Sequence, residues 1–503
     1  MKHIVVFGAG KSATCLIEYL TATVQAHQWQ LTVADNNLDL ALSKTGGAPA
    51  TQAVAVNVER EAERTALIGQ ADIVISLLPP ALHFLVATTC VELGKNLLTA
   101  SYIDERIGSL APQIKNKGLL FLCEMGLDPG IDHMSAMQLI HRIKAAGGRI
   151  TAFRSHCGGL VAPENDNNPW HYKISWNPRN VVLAGKAGAI FKENNTEIQT
   201  PYEELFDPNK VVDIPELGLL AFYPNRDSLS YIPVYHLEEA ATFIRTTLRN
   251  PEFCFGWKNV IELKLTDEEP QYDTDGMTLQ QFFQLHFNTH GFSGWIERQL
   301  TARVAQTKQL LEKLQQLLEA EKEVNEADRK ELQDFMMVDD QGKLMDINLE
   351  EVKNKAAATV AGQMHEANLS MKQLLFLGMD DNETLINKGF CSAADVLQFA
   401  LERKLALEKD DKDMIVMLHE ITYETTTGDQ EQVASTLIVK GEDPLRTAMA
   451  KTVGLPLGIA AKLILQNKIQ LTGLHIPIVE AIYHPVLEEL KEHGVIFMES
   501  SSK

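Results

Sequence analysis

Apolar residues recur along the first third of the chain in short runs set between helical repeats. His3–Phe7 is one such run and ends in glycine, as a buried strand does. Leu31–Ala34, Ala53–Val58, Asp72–Leu78, Asn96–Ser101 and Leu119–Met125 are five more. Between them, Ser12–Ala26 and Leu82–Leu93 space their apolar positions as helices do. Pro79 and Pro80 stop the fourth run. This alternation predicts βαβ units and a doubly wound parallel sheet, an α/β fold.

The texture changes after Met125. Pro129 is placed to open a helix that runs to about Ala145 and stops at Gly147-Gly148. Residues 151–260 carry short β-rich runs and long polar loops. Segment 298–336 is charged, lacks Gly and Pro, and repeats leucine at helical spacing, which predicts a surface helix pair. Further short helices are expected over Gly378–Leu405. Met414–Thr422 and Val433–Val439 alternate apolar and polar, as strands of a half-exposed antiparallel sheet do. The chain then returns to helix near Asp443-Pro444, and the small residues of Thr447–Leu465 predict close helix packing.

Length and charge narrow the field. A chain of 503 residues suggests about three domains. The net charge of −21 makes a phosphate-backbone partner a poor fit, so no nucleic acid is expected. None of the six cysteines forms a C-x-x-C pair or a zinc spacing, so neither a metal site nor a disulfide framework is expected. The opening apolar run is too short for a signal-peptide core. No stretch reaches the ~18 uninterrupted apolar residues of a membrane span. The expectation is a soluble, cytoplasmic protein without a membrane partner.

Gly8-Ala9-Gly10-Lys11-Ser12-Ala13 is G-x-G-x-x-A between a strand and a helix, the setting of a dinucleotide fingerprint. Gly8 permits the tight turn, Gly10 admits a pyrophosphate, and Ala13 allows close helix–strand packing. Asp35 closes the second strand about 20 residues on, where a carboxylate accepts from the adenosine ribose 2′-OH. A 2′-phosphate would be repelled there, so NAD rather than NADP is expected. Ser76 and Leu77 end the fourth strand on the nicotinamide side of the crevice. Asp128 follows the sixth strand and either faces that crevice, caps the following helix, or does both. Arg226 and Arg249 lie among turn and strand residues, with Arg154, Lys173 and Arg179 not far away in sequence. Their guanidinium forks suit a small-molecule substrate with several carboxylates.

Several segments carry a resemblance. ADIVISLLPPALH, GLDPGIDHMSAM, CGGLVAPENDNNPWHYKISW and YPNRDSLSY resemble saccharopine dehydrogenases of the glutamate-forming type. The likeness is strongest to the NAD-using dehydrogenase half of the bifunctional lysine-degradation enzyme, and it runs along nearly the whole chain. It implies a Rossmann-type NAD-binding domain (1–128 with 444–503), an α+β substrate and dimerisation domain with a mixed or antiparallel sheet (129–290 with 407–443), and a small all-helical subdomain (291–406). It implies oxidation of saccharopine with NAD and water to glutamate and 2-aminoadipate 6-semialdehyde, or the reverse, by a homodimer. It also implies substrate contacts at Ser101, Tyr102, Asp128, Arg226, Thr247, Leu248 and Arg249, with Leu127, Asp128 and Pro129 beside the cofactor. The charged stretch 298–365 looks longer than in the family.

That reaction needs a base to deprotonate the secondary amine and then to activate water. Asp128, Lys173 and Tyr102 qualify, in no fixed order. An aspartate needs burial to raise its pKa, and burial lowers a lysine. The rivals are a carboxynorspermidine-type dehydrogenase and a non-catalytic NAD-binding scaffold.

Overall fold

The computed structural model describes residues 1–298, 335–338, 344–347, 366 and 368–502. Six strands, β1 (His3–Phe7), β2 (Gln30–Asp35), β3 (Thr51–Ala55), β4 (Ile73–Ser76), β5 (Asn96–Thr99) and β6 (Leu120–Leu122), form a parallel sheet in the order 3-2-1-4-5-6. All six overlap predicted runs, with β3 set earlier than the predicted Ala53–Val58. The chain end adds a seventh parallel strand, Gly473–His475, beside β6.

The side-chain period of two explains why β1 is apolar throughout. Ile4 and Val6 face one core with the helices Thr14–His27 and Ala448–Leu465. Val5 and Phe7 face the other, with Val86, Ala87 and Cys90 of the helix Pro80–Leu93. The doubly wound order reverses between β1 and β4, so a crevice opens at the carboxyl ends of these strands.

Ala448–Leu465 is long and apolar enough to cross a membrane by composition, yet 83% of it is buried inside the protein. Its glycines explain the fit. A Cβ on Gly454 would meet Leu16 N at 2.9 Å, and one on Gly458 would meet the Tyr19 ring at 2.6 Å. Thr447 and the Asp413 carboxylate together cap its first N–H groups.

The second sheet has ten strands and is mixed. Arg149–Val161 pairs in parallel with Thr242–Arg249 and antiparallel with Asp413–Glu424. The expectation of half-exposed strands fails for Asp413–Glu424, which is buried on both faces. Ile415, Met417 and Ile421 join one core, while Met414, Val416 and Leu418 meet Leu160, Leu220 and Leu248 in another.

Residues Asn259–Lys404 form a separate compact unit. Its helices include Leu279–Thr289, opened by a Thr278–Gln281 capping box, and Ala393–Lys404. It is not purely helical, because Pro270–Asp273 pairs with Phe390–Ser392 and Phe335–Val338 pairs with Leu344–Ile347. Most of the predicted stretch 298–336 lies outside the described residues. Its last two residues, Phe335 and Met336, are in a strand rather than a helix.

Candidate active site

The glycine loop is built for a close-lying ligand. Gly8 has φ +101°, and a Cβ there would meet Leu77 O at 2.7 Å, so only glycine lets β1 turn beside β4. Gly10 is open. A Cβ there would meet nothing within 4 Å, and the residue leads through the turn Lys11–Ala13 into the helix Thr14–His27. Lys11 is exposed, Ser12 half-buried and Ala13 buried. Asp35 reaches back to this loop. Its Oδ2 accepts from Ala9 N–H at 2.8 Å and its Oδ1 from Asn37 N–H at 2.9 Å. A bare loop, a helix N-terminus and a carboxylate at the end of β2 fit a dinucleotide pyrophosphate and ribose.

The ends of β4 and β5 are joined through a histidine. Ser76 Oγ lies 2.8 Å from His83 Nδ1, and His83 Nε2 lies 2.7 Å from Ser101 Oγ. Leu77 is half-buried against Gly8.

Beyond β6, residues 126–130 make a tight loop. Gly126 N–H donates to Pro129 O, and a Cβ on Gly130 would fall 2.0 Å from Gly126 O. The Asp128–Pro129 peptide bond is cis. Pro129 does not open the following helix, which begins two residues later at Ile131. Asp128 is not a cap either. It is Asp132 Oδ1 that accepts Gly130 N–H, at 2.6 Å. This leaves Asp128 to Tyr102, whose hydroxyl donates to Oδ1 at 3.2 Å, and to Arg245, whose Nη2 donates to the same oxygen at 2.7 Å. Arg245 also donates to Asp132 Oδ2 at 2.7 Å and stacks over the Tyr231 ring at 4.5 Å. Leu127 and Pro129 are buried beside this group.

Two carboxylates sharing one guanidinium are driven apart in acidity. Burial pushes Asp128 above the ordinary aspartate range, Asp132 adds to the rise, and Arg245 opposes it. Burial acts on Asp132 too, but His133, Arg245 and the Gly130 N–H outweigh it and hold that carboxyl low. Burial, with Asp128 beside it, pushes the Tyr102 phenol upward, which makes Tyr102 a proton-bearing donor rather than a base. The adjoining His133 is fully buried and satisfied, with Nδ1 on Tyr235 Oη and Nε2 on Glu124 Oε2.

The remaining predicted residues fall in different places. Arg226 is exposed, and its guanidinium sits 5.2 Å from the Tyr102 ring centre. Arg249 is 4% exposed, donates to Leu248 O, lies over Tyr172 and Phe253, and leaves its Nε without a partner. Thr247 is half-buried and bonds Tyr223. Leu248 buries its side chain in an apolar cluster, so only its backbone could meet a ligand. Lys173 is buried, but its ammonium is held by Asp411 at 2.5 Å in a buried ion pair. That pair ties the loop to the strand Asp413–Glu424 and is a poor source of a free amine base. Cys157, on the neighbouring strand, is buried too, and burial raises its thiol well above the usual value, so it offers no thiolate to the site.

Sequence reasoning missed Arg245, Asp132 and Tyr231. Arg245 carried a signal, an arginine on the same face as Arg249 in a buried strand whose other residues are uncharged.

Comparisons with known proteins agree along the whole chain. Residues 4–122 match a sequence model described as the saccharopine dehydrogenase NADP binding domain, and residues 126–495 match the saccharopine dehydrogenase C-terminal domain. The L-glutamate-forming, NADP(+)-type saccharopine dehydrogenase of Schizosaccharomyces pombe is 28% identical, over 98% of each chain. Alpha-aminoadipic semialdehyde synthase of Arabidopsis thaliana is 30% identical over 99% of this chain, which spans 45% of that relative's length. Among solved structures, the apo L-Glu-forming saccharopine dehydrogenase of Saccharomyces cerevisiae superposes with a TM-score of 0.77 at 25% identity, covering all of both chains.

Proposed function

This chain belongs to the saccharopine dehydrogenase family, and from that premise we propose that it oxidises saccharopine with NAD and water to L-glutamate and 2-aminoadipate 6-semialdehyde. The observation that carries the reading is Asp128. It is a carboxylate raised by burial at the carboxyl edge of a nucleotide-binding sheet, hydrogen-bonded to Tyr102 and Arg245.

The nicotinamide, when bound, supplies the hydride acceptor. The protein's own part is positioning and proton transfer. Arg226 and Arg249 offer guanidinium forks to the substrate carboxylates. Asp128 takes the proton of the secondary amine, so that the carbon next to nitrogen on the lysine-derived arm can give up hydride. That proton passes to solvent. Asp128 then takes a proton from the water attacking the resulting protonated imine and returns it to nitrogen; as the C–N bond breaks and the aldehyde forms, the remaining hydroxyl proton passes to solvent and glutamate is released. Its raised pKa makes it a stronger base than an ordinary aspartate, as both roles require. Tyr102 and Arg245 hold the carboxylate in place throughout.

NAD is favoured by Asp35. Its carboxylate stands at the end of β2, on the loop that would hold the adenosine ribose, and a 2′-phosphate would meet its charge. The matched domain is described as NADP-binding and the fungal relative as NADP(+)-type, so the preference for NAD rests on Asp35.

The test is product analysis. Saccharopine with NAD should yield equal amounts of glutamate and semialdehyde, and Arg226→Ala should raise KM. Turnover preferring NADP would overturn the cofactor reading alone. No turnover with either cofactor, by protein that still binds a nucleotide, would overturn the reaction and leave a related amine substrate or a non-catalytic role.

A further inference from the structure

The ends of β4 and β5 meet through His83. Its ring is 2% exposed, on the helix Pro80–Leu93, and it bridges Ser76 Oγ and Ser101 Oγ. Burial pushes its pKa down to about 4 against the pull of Asp104, so the ring is neutral over the working range. A neutral imidazole has one donor nitrogen and one acceptor, and its neighbours decide which is which.

Ser76 decides it here. Its hydroxyl is fully buried, and His83 Nδ1 is its hydrogen-bond partner. If Nδ1 carried the proton, the Ser76 O–H would be buried without an acceptor, the costlier arrangement. Ser76 therefore donates to Nδ1, and the ring proton sits on Nε2. That proton is donated to Ser101 Oγ. Ser101 is half-buried at the end of β5, next to Tyr102, and its own O–H is left unspent.

We propose that His83 is a positioning residue that makes Ser101 an obligate hydrogen-bond donor, aimed at a carboxylate oxygen of the bound substrate. The chain Ser76→His83→Ser101 has one direction, so the Ser101 O–H is the bond left to be made, and it favours an acceptor over an amine or ammonium at that point. This rests on the saccharopine reading, because it takes its ligand to be a polycarboxylate.

Two measurements test it, and only one depends on that reading. Ring nitrogen shifts of histidine-labelled protein, with His83→Phe to assign the signal, should show Nε2 protonated and Nδ1 bare from pH 6 to 8. The reverse tautomer, or a charged ring, overturns the proposal whatever the substrate. In steady-state assays, His83→Phe should raise KM for saccharopine about tenfold, the scale of one hydrogen bond to a charged group, with kcat little changed. His83→Gln, which can still donate toward Ser101, should recover part of the loss. In a Ser101→Ala background, His83→Phe should add nothing. Full additivity, or an unchanged KM in His83→Phe, would overturn the proposal. Lack of saccharopine turnover by the wild-type protein would instead count against the substrate, with the tautomer result still standing.

Discussion

Arg245 Nη2 lies 2.7 Å from Asp128 Oδ1, with both side chains almost sealed from solvent. The same nitrogen serves Asp132 at 2.7 Å, so one buried cation neutralises half of a carboxylate pair. Removing it should be costly twice over. Arg245→Met leaves two buried carboxylates without a counter-ion, and thermal unfolding should show a loss of about 3–5 kcal/mol. Arg245→Lys keeps the charge and should fold better, while losing activity because a compact ammonium on a shorter arm loses the planar stack over Tyr231 that fixes the cation between the two carboxylates.

The acidities of the pair set opposite pH dependences for stability. Asp132 is held low in the folded state, so its contribution is present above the unfolded aspartate pKa and lost as pH falls through its folded pKa. Asp128 is raised, so its contribution is present below the unfolded pKa and lost as pH rises through its folded pKa. Asp128→Asn should therefore flatten the decline of stability on the alkaline side of the aspartate range, measured by denaturant midpoints across pH. An unchanged profile would mean that Asp128 is not raised.

Lys173→Met should separate structure from catalysis. The substitution strands Asp411 in a buried site and should lower the melting temperature. The shape of the kcat–pH profile in the remaining folded enzyme should not change. A lost limb would restore Lys173 as a base.

The two loop glycines should fail differently. Gly8→Ala drives a Cβ into Leu77 O at a positive φ, so the fold itself should weaken, by calorimetry. Gly10→Ala meets nothing in the protein, so stability should hold while nucleotide binding, by fluorescence titration, falls at least tenfold.

What was legible in the sequence was local. The six parallel strands and the glycine loop followed from short apolar runs and their spacing, because both are fixed by near neighbours. What was not legible depended on partners far along the chain. Lys173 looked like a base until Asp411, 238 positions away, closed on it. Asp413–Glu424 looked half-exposed because its outer face is covered by Leu160, Leu220 and Leu248 from other strands. Leu248 fell in a motif between two site residues, yet its side chain turns to the opposite face of the strand from Arg249 and into the core. Arg245 is not legible because an arginine in a strand reads as an exposed face, and Asp128 and Asp132, more than a hundred positions away, account for its burial.

The most direct measurement follows reduced nicotinamide by absorbance, with saccharopine and NAD, for the wild-type protein and Asp128→Asn, with NAD binding titrated in both. Steady NAD-dependent reduction by the wild type is expected, with a fall of at least a hundredfold in Asp128→Asn at unchanged NAD affinity, the scale of a lost general base. Equal turnover by both proteins would remove Asp128 from the chemistry. Absence of turnover in a wild-type protein that binds NAD would contradict the assignment of the reaction.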